Sequence, residues 1–194
     1  MRPARLVVLG RPGAGKGTQC QRLARHYQLP HVSTGEMLRA LAGTDVGRRA
    51  RDSIDAGDLL ADDVMVEMVA ERLGHDDVRR VGFLLDGFPR TLPQAEALPG
   101  LIEPATIDVA IHVEVAPVVV AARLAGRLAG SQEQQRRRDD ADDVVARRLQ
   151  LYEAETAPVV GWFADQGLLA TVDGLAPVEE VTARLMEVVD QALA

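Results

Sequence analysis

Gly10-Arg11-Pro12-Gly13-Ala14-Gly15-Lys16-Gly17-Thr18 lies between the strand-like run Leu6-Val7-Val8-Leu9 and an amphipathic helical stretch. Gly13, Gly15 and Gly17 let backbone N–H groups close around an anion, and the helix that follows points its free N–H groups and the positive end of its dipole at the same place. Among the 22 lysines and arginines of the chain, Lys16 is the one lysine. A compact ammonium at this point, in a chain that otherwise uses guanidinium groups, suits outer phosphates reached as a point charge. The pattern G-x-x-x-x-G-K, in strand–loop–helix context, therefore predicts a phosphate cradle at the first strand. Gly17 follows the lysine, so the hydroxyl arrives one residue later, at Thr18.

The cradle implies a parallel α/β sheet, and the rest of the chain agrees. Residues 6–9, 81–85, 108–115 and 168–172 read as buried parallel strands, with residues 31–33 as one more, giving a sheet of about five. Helical patterns alternate with them near 16–26, 62–73, 91–98, 116–127, 139–165 and 177–192. Pro158 must break or kink the longest of these. Two stretches leave the alternation: 33–60, polar and helical without an obvious strand, and 126–140, rich in glycine, glutamine and arginine. Both are read as excursions from the core of a single domain.

Composition narrows the function. The net charge is −7 at 194 residues, so there is no global basic field to hold nucleic acid or an anionic membrane, and anion handling must be local. The single cysteine, Cys20, excludes an intramolecular disulfide and reads as a small buried hydrophobe. With it, the four histidines His26, His31, His75 and His112 offer no structural zinc spacing. No long apolar segment occurs, and a strand begins almost at once after Met1, so a cytoplasmic protein without membrane contact is expected. A monomer is also expected, although no feature of the sequence fixes the oligomeric state.

A second constellation, Gly82-Phe83-Leu84-Leu85-Asp86-Gly87-Phe88-Pro89-Arg90-Thr91, ends an apolar strand in an aspartate, a glycine turn and an arginine. Beside a phosphate cradle, Asp86 at a strand's carboxyl end is placed to hold magnesium, directly or through water, with the Thr18 hydroxyl as the other candidate metal contact. Arg90 just beyond it could clamp a second phosphate.

Three motifs in order, GRPGAGKGTQ from Gly10, STGEMLR from Ser33 and DGFPRTLPQ from Asp86, resemble the adenylate kinase family over nearly the whole chain. The likeness continues around Arg123 and Arg127, Arg137 to Asp140, Arg148 and Asp173. It implies the P-loop nucleoside monophosphate kinase fold, with a nucleotide-binding arm at about 33–60 and a short lid at about 126–140. It further implies that Gly13, Ala14, Gly15, Lys16, Gly17 and Thr18 cradle ATP phosphates, and that Arg127 and Ala176 touch ATP. Thr34 and Gln94 would read the AMP base, while Arg39 and Arg90 would hold its phosphate. Asp58, Leu59 and Leu60, with Gly87, Phe88 and Pro89, would line the AMP pocket. Arg123, Arg137 and Arg148 would join Lys16 and Arg90 on the transferring and acceptor phosphates, and Asp139 and Asp140 would orient lid arginines. Ala61 stands where the family often has proline, and the run Arg136-Arg137-Arg138 leaves open which of the three reaches the phosphate.

The implied reaction is MgATP + AMP ⇌ 2 ADP, needing magnesium with the nucleotide and no zinc. It demands no general base, since the acceptor phosphate is already ionised, and the sequence shows no nucleophile constellation. Kinases for UMP, CMP or GMP on the same fold remain open at this stage, although a carboxamide at Gln94 suits a purine edge. A binding protein without turnover would not need so many phosphate-seeking arginines. A nucleic-acid-dependent ATPase would need a basic track.

Overall fold

The computed structural model describes residues 3–41, 58–130 and 142–194, with side chains described throughout these except at 124–130, 142 and 143. Five parallel strands form one sheet: β1 (Ala4–Leu9), β2 (His31–Ser33), β3 (Gly82–Asp86), β4 (Val109–Glu114) and β5 (Leu169–Asp173), in the order β2-β3-β1-β4-β5. The central strands are apolar on both faces because both are covered. In β1, Leu6 and Val8 point into one core while Val7 and Leu9 point into the other, following the two-residue period of a strand. The first core is closed by α1 (Lys16–Tyr27) and α9 (Val178–Leu193), whose Leu23, Leu185 and Val189 are fully buried. The second is closed by α3 (Asp62–Leu73), α5 (Leu92–Ile102) and α8 (Ala157–Asp165), through Val69, Leu98 and Phe163.

The remaining described helices are α2 (Thr34–Ala40), α4 (Asp76–Val81), α6 (Pro117–Gly130) and α7 (Asp142–Leu151). Helix α4 was not expected from the sequence; its six residues are too few to show a period. The strand near 168–172 differs from expectation in burial. β5 is an edge strand, with one of its residues buried, whereas β3 and β4 are almost wholly enclosed.

Helix α7 does not run straight into α8. A π-helical turn, Tyr152–Thr156, separates them, and Pro158 sits in the first turn of α8. Proline has no N–H to continue the ladder and its ring collides with the carbonyl four residues back, so the chain widens just before it. That turn buries Tyr152 and Thr156 and directs them towards the site described next.

Candidate active site

All five strands point their carboxyl ends the same way, and the loops leaving β1, β2 and β3 converge there. In open parallel sheets this is where ligands bind. A cleft of about 770 Å³ lies at this edge, lined by the Gly10–Thr18 loop, α2, residues 58–60, the loop after β3, Arg123 and the α7–π segment.

In the cradle, Gly15 precedes α1 with φ 91°, a left-handed conformation that a side chain would resist. Lys16 is the first residue of α1, and its Nζ donates to the carbonyls of Gly10 (2.6 Å) and Arg11 (2.9 Å). The ammonium thus folds back across its own loop. Burial lowers its pKa from the usual 10.5 to about 8; the charges of Arg90 and Arg148 push the same way, and Asp86 opposes them. Thr18 is exposed on the cleft wall, while Ala14 is buried in the first core.

Asp86 ends β3 beside this loop, its carboxylate 3.2 Å from His31 Nε2. Burial alone would raise its pKa, yet the His31 hydrogen bond and the charges of Lys16, His31 and Arg90 outweigh it and hold the carboxyl below its ordinary value. Thr18 and Asp86 therefore present a hydroxyl and an ionised carboxylate, hard oxygen donors of the type magnesium takes. Sequence spacing did not reveal that Cys20, His31 and Asp86 bring their donor atoms within 4.8 Å of one another. Burial pushes the Cys20 thiol well up, which keeps it protonated and a poor ligand.

Beyond Asp86 the chain turns at Gly87, φ 84°, where a Cβ would lie 2.8 Å from both Arg90 Nη2 and Thr34 Oγ1. Only glycine lets these two side chains approach together. Arg90 Nε donates to the Gly87 carbonyl (2.7 Å), which aims the rest of the guanidinium into the cleft. Burial, and then the neighbouring Arg148 charge, lower the Arg90 pKa below its ordinary value. Thr34 donates its hydroxyl to the Gly87 carbonyl (3.0 Å), so towards a ligand it retains acceptor capacity. Gln94 is buried with its carboxamide held between the Arg90 N–H and Asp62.

Of the other residues singled out in the sequence, Arg39, Asp58, Leu59, Leu60, Gly87, Pro89, Arg123 and Arg148 line the cleft, with Arg123 donating to the Gly174 carbonyl (3.0 Å). Phe88 turns its side chain wholly into the second core, and Ala176 packs on the first core, outside the cleft lining, where Val178 stands instead. The Arg127 side chain and all of Arg136, Arg137, Arg138, Asp139 and Asp140 lie outside the described residues, as do 42–57 of the arm. Met65, Tyr152 and Thr156 join the lining without any motif to mark them, and Leu38 joins it from within the STGEMLR motif, where the resemblance gives it no role.

A glycine loop and lysine at the head of α1, on a parallel sheet of order 2-3-1-4-5, define a P-loop nucleotide-binding protein, and the second arginine-lined wall defines one that handles two phosphorylated ligands. The family model described as adenylate kinase matches residues 8–168. Adenylate kinase of Stenotrophomonas maltophilia strain K279a is 44% identical over 94% of this chain and 97% of its own length. That of Nitrobacter hamburgensis is 43% identical over 97% and 93%, and that of Rhizobium rhizogenes 41% over 93% and 96%. The chain belongs to the adenylate kinase family, and it is a phosphotransferase.

Proposed function

We propose that this chain transfers the terminal phosphoryl group of MgATP to AMP, reversibly, giving two ADP, and so balances adenine nucleotides. The observation that supports this reading best is the cluster Lys16, Arg39, Arg90, Arg123 and Arg148 around one cleft of a chain whose net charge is −7. Such a concentration of cations in an acidic protein suits two polyphosphate groups brought end to end. Gly13 to Thr18 take the donor phosphates. Arg90 and Arg39 take the acceptor phosphate, Thr34 and Gln94 its base, and residues 58–60 line the AMP pocket through backbone groups.

Phosphoryl transfer needs little covalent help. Charge spreads over the equatorial oxygens in the transition state, and the protein's work is alignment and neutralisation. In this reading Lys16, Arg123 and Arg148, which line the cleft, serve the transferring phosphoryl group. By the family resemblance Arg137 would join them and Arg127 would touch ATP, whereas Ala176, packed on the first core, would reach ATP through its backbone at most. Magnesium, held by Asp86 and Thr18 directly or through water, would neutralise donor phosphate charge. Water is the competing acceptor, so closure of arm and lid over both nucleotides completes the site. Among the described residues no helix is long and apolar enough to cross a membrane. We place the chain in the cytoplasm as a monomer acting on ATP, AMP and ADP, without nucleic acid or membrane partners.

A coupled ADP-release assay with AMP, UMP, CMP and GMP in turn tests the acceptor. AMP is expected to dominate, and a pyrimidine monophosphate as the best acceptor would overturn the proposal. Gln94→Ala should raise KM for AMP by about ten- to hundredfold, the scale of a lost buried hydrogen-bond pair, while KM for MgATP moves little. Equal weakening of both nucleotides would remove Gln94 from the base site. Elemental analysis of purified protein should find no stoichiometric zinc, because the Cys20 thiol is held protonated and His31 and Asp86 are already partners. One zinc per chain would refute that.

A further inference from the structure

We infer that Asp62 is a specificity-determining positioning residue: it fixes which end of the Gln94 carboxamide meets the acceptor base, so that the site accepts a 6-aminopurine and rejects a 6-oxopurine. This rests on the reading of Gln94 as the base contact.

A carboxamide has nearly the same shape with its oxygen and nitrogen exchanged, so only its neighbours decide its orientation. Here both neighbours are unambiguous. The Arg90 backbone N–H can only donate, and it lies 2.8 Å from Gln94 Oε1. The Asp62 carboxylate can only accept, and its Oδ1 lies 2.7 Å from Gln94 Nε2. The Thr91 hydroxyl donates to the same Oδ1 (2.8 Å), which pins the carboxylate. Thr91 Oγ1 in turn accepts the Gln94 backbone N–H (3.4 Å). Gln94 is 1% exposed, so water cannot readily take over any of these contacts.

One lone pair on Oε1 and one hydrogen on Nε2 remain for the cleft that Gln94 lines. A 6-aminopurine presents an amino donor beside a ring-nitrogen acceptor, which matches that remaining pair. A 6-oxopurine presents a carbonyl acceptor beside an N1–H donor and needs the reversed carboxamide. Reversal would set the amide NH₂ against the Arg90 N–H and the amide oxygen against the Asp62 carboxylate, two repulsive contacts in a buried place. The clamp therefore discriminates by penalising the wrong base as well as by pairing with the right one. Asp62 is also the first residue of α3, separated by Ala61 alone from the cleft-lining residues 58–60. The end of the arm and the base contact are thus tied by one carboxylate.

Steady-state kinetics with AMP and with inosine monophosphate, which differs from AMP along this edge, at saturating MgATP, test the inference on the full chain. Asp62→Ala should narrow the AMP-over-inosine-monophosphate ratio of kcat/KM by about ten- to hundredfold, the scale of one hydrogen bond to a charged acceptor. The change should fall on the KM values of the acceptors, not on KM for MgATP. Asp62→Asn, whose side-chain oxygen can still accept both hydrogens, should retain most of the ratio. Should Asp62→Ala not fold, Thr91→Val, which unpins the carboxylate, should narrow the ratio in the same direction. A structural role alone would lower Tm and kcat for both acceptors alike, and an unchanged ratio in folded Asp62→Ala overturns the inference. If Gln94→Ala still raises KM for AMP in that case, the reading of Gln94 stands; if it does not, that reading fails on its own evidence.

Discussion

Lys16→Ala is expected to lower kcat by at least about 10²–10³-fold, the scale of removing one preorganised donor from a developing phosphoryl charge, and to leave the fold intact. Truncation releases the Gly10 and Arg11 carbonyls from the ammonium, but both belong to a loop open to the cleft, where water can replace it. No apolar core contact is lost. Wild-type protein should carry a matching pH signature. With the pKa drawn down to about 8, the ammonium of the free protein is charged at pH 7 and loses its proton as pH rises through 8. Bound phosphate favours the charged form, so nucleotide binding takes up a proton above that point, and KM for MgATP should climb by up to tenfold per pH unit. In Lys16→Ala that climb should vanish. Near-normal turnover in the mutant, or an unchanged pH profile, would remove Lys16 from the phosphate site.

The cradle and sheet were legible in the sequence because they rest on local rules: a strand, a glycine loop with its lysine, and a helix must follow one another within a short span. Asp86 and Arg90 were legible for the same reason, sitting at the end of an apolar strand. What escaped were contacts between distant segments. Asp62 reads as an ordinary acidic residue in the first turn of a helix, favourable to the dipole there, and nothing local says that it holds a carboxamide 32 residues away. His31 reads as one of four histidines without zinc spacing and Cys20 as a small buried hydrophobe, yet β2 and α1 carry them to Asp86. The π turn before Pro158 was foreseeable only as a break. Its consequence, Thr156 donating to the Arg90 carbonyl at 2.9 Å, needed the fold.

Arg90→Ala should abolish transfer to AMP, by about 10³-fold or more in kcat/KM, without loss of stability. The backbone of Arg90 does the structural work at this position: its N–H is taken by Gln94 and its carbonyl by Thr156, and neither contact involves the guanidinium. The side chain, by contrast, is held against its own interest. Burial and the charge of Arg148 both depress its pKa, and the proton stays on throughout the accessible pH range. A base with a depressed folded-state pKa weakens the fold wherever it remains protonated, so removing it should leave Tm unchanged or raise it. An anion between Arg90 and Arg148 would reverse that penalty, and a desolvated guanidinium on transferring charge can contribute about 10³-fold or more. Arg90→Lys should recover little, since a lysine cannot donate from Nε to the Gly87 carbonyl while pointing paired N–H groups at a phosphate. Thermal unfolding and acceptor kinetics on the two variants together decide the matter. A large fall in Tm that accounts for the lost activity would make Arg90 a structural residue, whereas a stable, inactive protein would fix it as the acceptor clamp.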